Sequence, residues 1–244
     1  MNFDPSVFWH YLFYGPIVDG AKLTLIMAVV SQTIGIVLGL FLALGRLSRS
    51  KLPVWRWLSG IYIWLFRGTP LLVQLLFVYD AIPQMTGESI VLGSITSGII
   101  ALSLNEGAYM AEIIRAGIQS VDPGQVEAAK ALGMTYTKTM RRVVLPQAVR
   151  FVIPPTGNEF ISMLKNTSLA EVVSAQELLY NTQQVYANNF FYFELLSVAA
   201  LWYLAMTTVA TWIQSRLEQR VEYRNTIPNR GGLFGFAFPG MHRG

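Results

Sequence analysis

Six residues with chemically capable side chains interrupt apolar stretches of this chain. They are Arg67 beside Gly68-Thr69-Pro70, then Asn105, Glu106 and Tyr109, then Glu159 and Ser162. An ionisable group among apolar neighbours is costly unless it faces a protein interior or a water-filled path, so these positions are candidates for contact with a polar solute. Glu159 can accept from an ammonium or another cationic group. Asn105, Ser162 and nearby backbone N–H groups can meet a carboxylate. On helices Ser162 shares a face with Glu159 at i+3, and Tyr109 with Asn105 at i+4. The competing reading is structural: Glu106 and Glu159 pair with Lys165, Arg115 or a second subunit. The small residues of NEGAY favour that reading for Glu106, whereas at Glu159 both stay open. Packing at the break is the preferred reading of Arg67, with lining of a path as the alternative.

Residues 119–147 carry a second pattern, QSVDPGQVEAAKALGMTYTKTMRRVVLPQ. Asp122-Pro123 is a helix start, with Asp as N-cap and Pro at the first position. Gln125, three residues on, completes a box-like pair. Gly133 is placed to end the helix in a left-handed cap. Thr135 can start a second short helix, which Pro146 should stop near Leu145. Glu127 and Lys130 edge a face of small residues, Ala128, Ala129 and Ala131. Such a face suits either docking of a cytosolic partner or packing on the ends of neighbouring helices.

Other chemistry is excluded by what is missing. There is no GxxxxGK[ST] phosphate loop, no HExxH and no GxSxG. Cysteine is absent, and the two histidines, His10 and His242, lie near opposite ends, which disfavours thiolate or histidine metal sites.

The elements that carry these residues must be membrane helices. The 244 residues are 53% hydrophobic and only 13% charged, about half the charge of an ordinary soluble domain. Mean hydropathy is +0.43. Five apolar stretches approach the ~20 residues needed to cross a bilayer: about 20–45, 54–79, 90–115, 149–168 and 193–214. The second is broken at residues 67–70, and Pro154-Pro155 with Gly157 predict a break in the fourth, one turn before Glu159. Gly35-x-x-x-Gly39 in the first is a helix-packing signal. Residues 1–18 read as an aromatic interfacial segment rather than a signal peptide. Residues 19–218 form the transmembrane domain, including the 119–147 loop, and 219–244 a cytoplasmic tail.

Charge then orients the helices. Fifteen of the eighteen Lys and Arg fall between spans one and two, at or between the ends of spans three and four, or after span five; the exceptions are Lys22, Arg67 and Lys165. Asp4, Asp19, Asp80, Glu88, Glu171, Glu177 and Glu194 fall on the other side. The positive-inside rule therefore puts the N-terminus outside and the C-terminus inside. The modest net charge of +4 is a topology signal here, not a nucleic-acid surface.

The segment EAAKALGMTYTKTMRRVVLP resembles the EAA loop of permease subunits of bacterial ABC importers. FRGTP at 66–70, NEGAYMAEIIRAGIQSV at 105–121, LPQAVR at 145–150 and GNEFISMLKNTSL at 157–169 are similar to the polar amino-acid branch. The resemblance covers about 20–217. It implies an all-α membrane protein of the type I, MetI-like permease fold with five spans. It further implies pairing with a second permease, either the same chain or a paralogue. A cytosolic ATPase dimer would carry ATP and Mg, leaving this chain without a cofactor and without enzymatic activity. An extracytoplasmic binding protein would deliver the amino acid to the bacterial inner membrane. The motif carries the coupling role onto Glu127, Ala128, Ala129, Gly133 and Pro146. The residues alone leave a rival open, an ion-gradient-driven secondary carrier that needs no ATPase.

Overall fold

The computed structural model describes residues 3–48 and 53–223, with the side chains of 221–223 left out. Arg49, Lys51, Arg224, Arg230, Arg243 and most of the 219–244 tail lie outside the described residues.

All regular structure in the described residues is helical. Helix α1 (Pro5–Leu12) is capped by Asp4, whose carboxylate accepts from the Ser6 N–H at 2.8 Å. The hydrogen bonds of Ser6 hold the Asp4 carboxyl below its ordinary pKa of 3.8. Helix α2 (Gly15–Leu47) is about 50 Å long at 1.5 Å per residue, ample for a bilayer core. It and Tyr192–Arg220 of α11 (Tyr192–Tyr223) are each long and apolar enough to cross alone.

The chain α3 (Val54–Gly68) runs up to the expected break, and the following Leu71–Met85 departs at 108°. That second arm comprises α4 (Leu71–Leu76), a π-helical turn (Phe77–Ala81) and α5 (Ile82–Met85). The residue before a proline avoids helical geometry, and Thr69 and Pro70 are both extended. The freed backbone groups are recovered by side chains: Gln74 Nε2 donates to Phe66 O at 2.9 Å and Thr69 O at 3.0 Å, and Asn105 Nδ2 to Phe66 O at 3.1 Å. Gln74 and Asn105, rather than Arg67, pin the break.

Helix α6 (Ser94–Gln119) is the central element and packs on α2, α3, α4 and α9 (Leu145–Asn166). Its seam with α2 uses the predicted small-residue pair. A Cβ at Gly35 would overlap the Glu106 side chain, and one at Gly39 would overlap Met110. Toward the N-terminal ends of α2 and α6 from this seam lies the main apolar core, including Met27, Leu75, Leu102, Leu164, Leu178 and Leu195.

Three expectations change. The second loop helix does not stop at Pro146: α8 (Tyr136–Thr139) runs through a π-turn (Met140–Val144) straight into α9. In that turn the Leu145 N–H bonds Met140 O, and the wider register accommodates a residue that lacks an N–H. Pro154 and Pro155 lie inside α9 without ending it; Gln214 Nε2 of α11 donates to Pro154 O at 3.2 Å. Finally, Glu177 is not an outer-surface charge. It is fully buried, caps α10 (Leu178–Asn189) by accepting from the Tyr180 N–H, and accepts from Tyr203 Oη at 2.7 Å and Thr24 Oγ1 at 3.3 Å.

Candidate functional site

The 119–147 loop folds as a short helix, α7 (Pro123–Ala131), held by a side-chain cap at one end and a backbone cap at the other. The Asp122 carboxylate accepts from the Gly124 N–H at 2.7 Å. At the far end Gly133 adopts φ +72°. Its N–H bonds Lys130 O at 2.9 Å, and the Met134 N–H bonds Ala129 O at 3.0 Å. This 5→2 and 6→1 pair satisfies carbonyls that the helix end leaves free. The box-like pair reduces to Asp122 alone, since the Gln125 side chain makes no bond among the described residues.

One face of α7 is anchored. Ala129 is buried, and Val126 packs on a small cluster of Val121, Val144 and Ala148. The other face is open: Glu127, Ala128 and Ala131 are exposed, Leu132 is 83% exposed and Tyr136 65%. The packing reading is met by the Ala129–Val126 face, and the opposite face is uncovered among the described residues. Pro146 lies in the first turn of α9, directly beyond the π-turn.

The polar residues that interrupt the apolar stretches separate into two groups. Glu106 is 3% exposed and accepts from Gln32 Nε2 at 2.7 Å. Its partner is therefore Gln32, not Lys165 or Arg115; Arg115 instead pairs with Glu112, and Lys165 is exposed. The Asn105 amide nitrogen is taken up by Phe66 O and by Gln74 Oε1 at 3.0 Å, so the donor that a carboxylate would need is already committed. The second group is unsatisfied. Glu159 is half-buried and has no hydrogen-bond or ion-pair partner among the described residues. It stands within electrostatic reach of Arg67 and of Glu106. Arg67 is exposed and lies over the Tyr109 ring, 5.3 Å from its centroid. Ser162, half-buried, follows one turn along α9 from Glu159.

Sequence reasoning missed Gln32 and Gln74 altogether. The glutamines carry no charge to flag them.

The family model of the binding-protein-dependent transport system inner membrane component matches residues 35–223. The chain belongs to that family. Among relatives of this permease, the arginine transport system permease protein ArgU of Corynebacterium glutamicum is 43% identical over 227 residues, covering 88% of this chain and 71% of that protein. The glutamine transport system permease protein GlnP of Escherichia coli K12 is 35% identical, covering 91% and 99%. Among solved structures, an amino acid ABC transporter with histidines superposes with a TM-score of 0.82 at 39% identity, covering 90% of this chain and all of that one. An inward-facing MetNI methionine ABC transporter, at 20% identity and a TM-score of 0.72, shares the fold.

The permease is therefore an inner-membrane transport subunit of an ATP-driven importer and not an enzyme; the ATPase is a separate chain. The family membership sets aside the ion-gradient carrier.

Proposed function

We propose that this permease conducts a zwitterionic amino acid past Arg67 and Glu159, and that the open face of α7 transmits the ATPase cycle to that path. The observation that carries the reading is a guanidinium within electrostatic reach of a carboxylate that has no partner among the described residues. Arg67 suits the substrate carboxylate and Glu159 its ammonium, while Tyr109 supports the guanidinium and Ser162 supplies a hydroxyl. Asn105 acts by holding the α3–α4 break, which sets where Arg67 emerges. Arginine and glutamine appear in the names of relatives, and both share these two groups.

The chain is read as five crossings, with the N-terminus outside and the C-terminus in the cytoplasm. In support, α6 and α9 are 26 and 22 residues long, about 39 and 33 Å at 1.5 Å per residue. On α6 Ser97, Ser103 and Glu106 turn inward, whereas the polar residues of α9 are half-buried or exposed; these polar residues account for the modest apolarity of both helices. The 1–18 segment lies along the outer interface, 19–218 forms the permease domain and 219–244 the cytoplasmic tail.

On the inner face Glu127, Ala128, Ala129, Gly133 and Pro146 form the coupling unit. Glu127 and Ala128 face the partner, Ala129 seats the helix, Gly133 ends it, and Pro146 begins the span it drives. Partners are an ATPase dimer carrying ATP and Mg, a second permease, and an extracytoplasmic amino-acid-binding protein. The decisive measurement is uptake of labelled amino acids by the complete complex in liposomes. Arg67→Gln and Glu159→Gln should each raise the substrate concentration for half-maximal uptake about ten- to hundredfold, the effect of losing one charged hydrogen bond. Unchanged uptake of every amino acid tried would refute this assignment.

A further inference from the structure

We infer that the cytoplasmic end of α11 and the cleft beside it form a binding site for one anionic phospholipid, headgroup on Arg216 and Arg220 and one acyl chain in the cleft. Two independent features meet here. The first is a basic, aromatic face: Trp212, Arg216 and Arg220 follow one another at i+4, and Arg216 lies over the Trp212 ring at 5.2 Å. Among the described residues neither guanidinium has a carboxylate within ion-pair distance. Tryptophan followed one turn later by arginine is the arrangement expected where hydrocarbon gives way to headgroups.

The second feature is a cleft of about 410 Å³ between α2, α6, α9 and α11. Ile36, Met110, Ile114, Val152 and Phe160 make its walls apolar. A polar amino acid has little to bind there, whereas a lipid chain does. The two features are continuous, because Ile213 and Leu217 line both the basic face and the cleft. From Leu217 to Ala210 the cleft rises about 10 Å at 1.5 Å per residue, within the ~15 Å of one leaflet. In the proposed orientation α2, α6 and α11 contribute residues from their cytoplasmic halves and α9 contributes Val152 to Phe160 across its middle, so the cleft opens from the inner leaflet.

Two acceptors interrupt the apolar lining. Oε1 of Gln32 and Oε1 of Gln214 are buried without a donor, although both amide nitrogens are engaged. Both oxygens are closed off from solvent, so selection rests on charge at Arg216 and Arg220, and phosphatidylglycerol, with its one negative charge, is the probe of choice.

The inference uses the proposed orientation but no substrate, so lipid retention and amino-acid transport can fail independently. The test is lipid retention by the purified permease–ATPase complex, delipidated in detergent and titrated with dioleoyl-phosphatidylglycerol or dioleoyl-phosphatidylcholine under native mass spectrometry. One phosphatidylglycerol per permease should bind in preference to phosphatidylcholine. Arg216→Gln with Arg220→Gln should weaken it about thirtyfold, from two headgroup contacts of ordinary strength. Both side chains are exposed, so folding is not at stake. Ile213→Trp, at the junction, should lower affinity while keeping the headgroup preference. Equal binding of both lipids, or no change in the double variant, would overturn the site. So would cross-linking of two Ile213→Cys chains through this face, since a second copy would then cover it; the cysteine-free sequence makes that cross-link unambiguous.

Discussion

Replacing Gly133 with alanine isolates one physical quantity. The residue sits at φ +72°, and a Cβ built there meets nothing within 4 Å. Alanine therefore adds no clash, and its cost is conformational, about 1–2 kcal/mol for an L-residue in the left-handed region. That energy disfavours the capped loop about five- to thirtyfold. If the cap opens, the bonds of the Gly133 and Met134 N–H groups go with it, each worth about 1 kcal/mol. The damage stays local because α7 is anchored by buried Ala129 and by Val126, which packs on a cluster separate from the main core. The complex reconstituted in liposomes should show ATP hydrolysis stimulated by loaded binding protein falling at least fivefold. Membrane insertion and thermal stability of the spans should not change. Gly133→Asn should recover much of the loss, since asparagine tolerates this backbone. Wild-type coupling in Gly133→Ala would refute the reasoning outright. An asparagine variant as impaired as a valine variant would show that something other than backbone conformation is at work.

Further outcomes follow from particular contacts. Gly35→Ala drives a methyl into Glu106 and should lower stability by about 1–3 kcal/mol, as overpacking does, visible as a lower Tm in detergent. Glu177→Ala removes the shared acceptor of Tyr203, Thr24 and the Tyr180 N–H; it should cost about 2–4 kcal/mol through unsatisfied buried donors and expose α10 amides to hydrogen exchange. Asn105→Leu should leave Phe66 O with one fewer donor, and reduced uptake with intact ATPase association would place its role at the break. At the N-terminus, Asp4 titrates below its ordinary value, so its cap stabilises α1 above pH 3.8. That contribution is lost as pH falls through the lower folded value, and hydrogen exchange in α1 should rise there.

Much of this architecture follows from local sequence because its causes are local. Apolar run length marks α2 and α11, the left-handed preference of glycine ends α7 at Gly133, and Thr69-Pro70 must break span two. Scarce basic residues imply an orientation for the same reason: their cost depends on which side of the bilayer they sit. What the sequence could not determine involves partners far apart in the chain. Pro146 and Pro154-Pro155 read as stops, yet a π-turn and packing against α11 carry the helix through. Glu106 meets Gln32 across 74 residues, Glu177 meets Thr24 across 153, and Asn105 spends its donor on the break in span two. Only tertiary packing decides which polar groups are already satisfied. By that criterion it leaves Arg67 and Glu159 without an ion pair among the described residues.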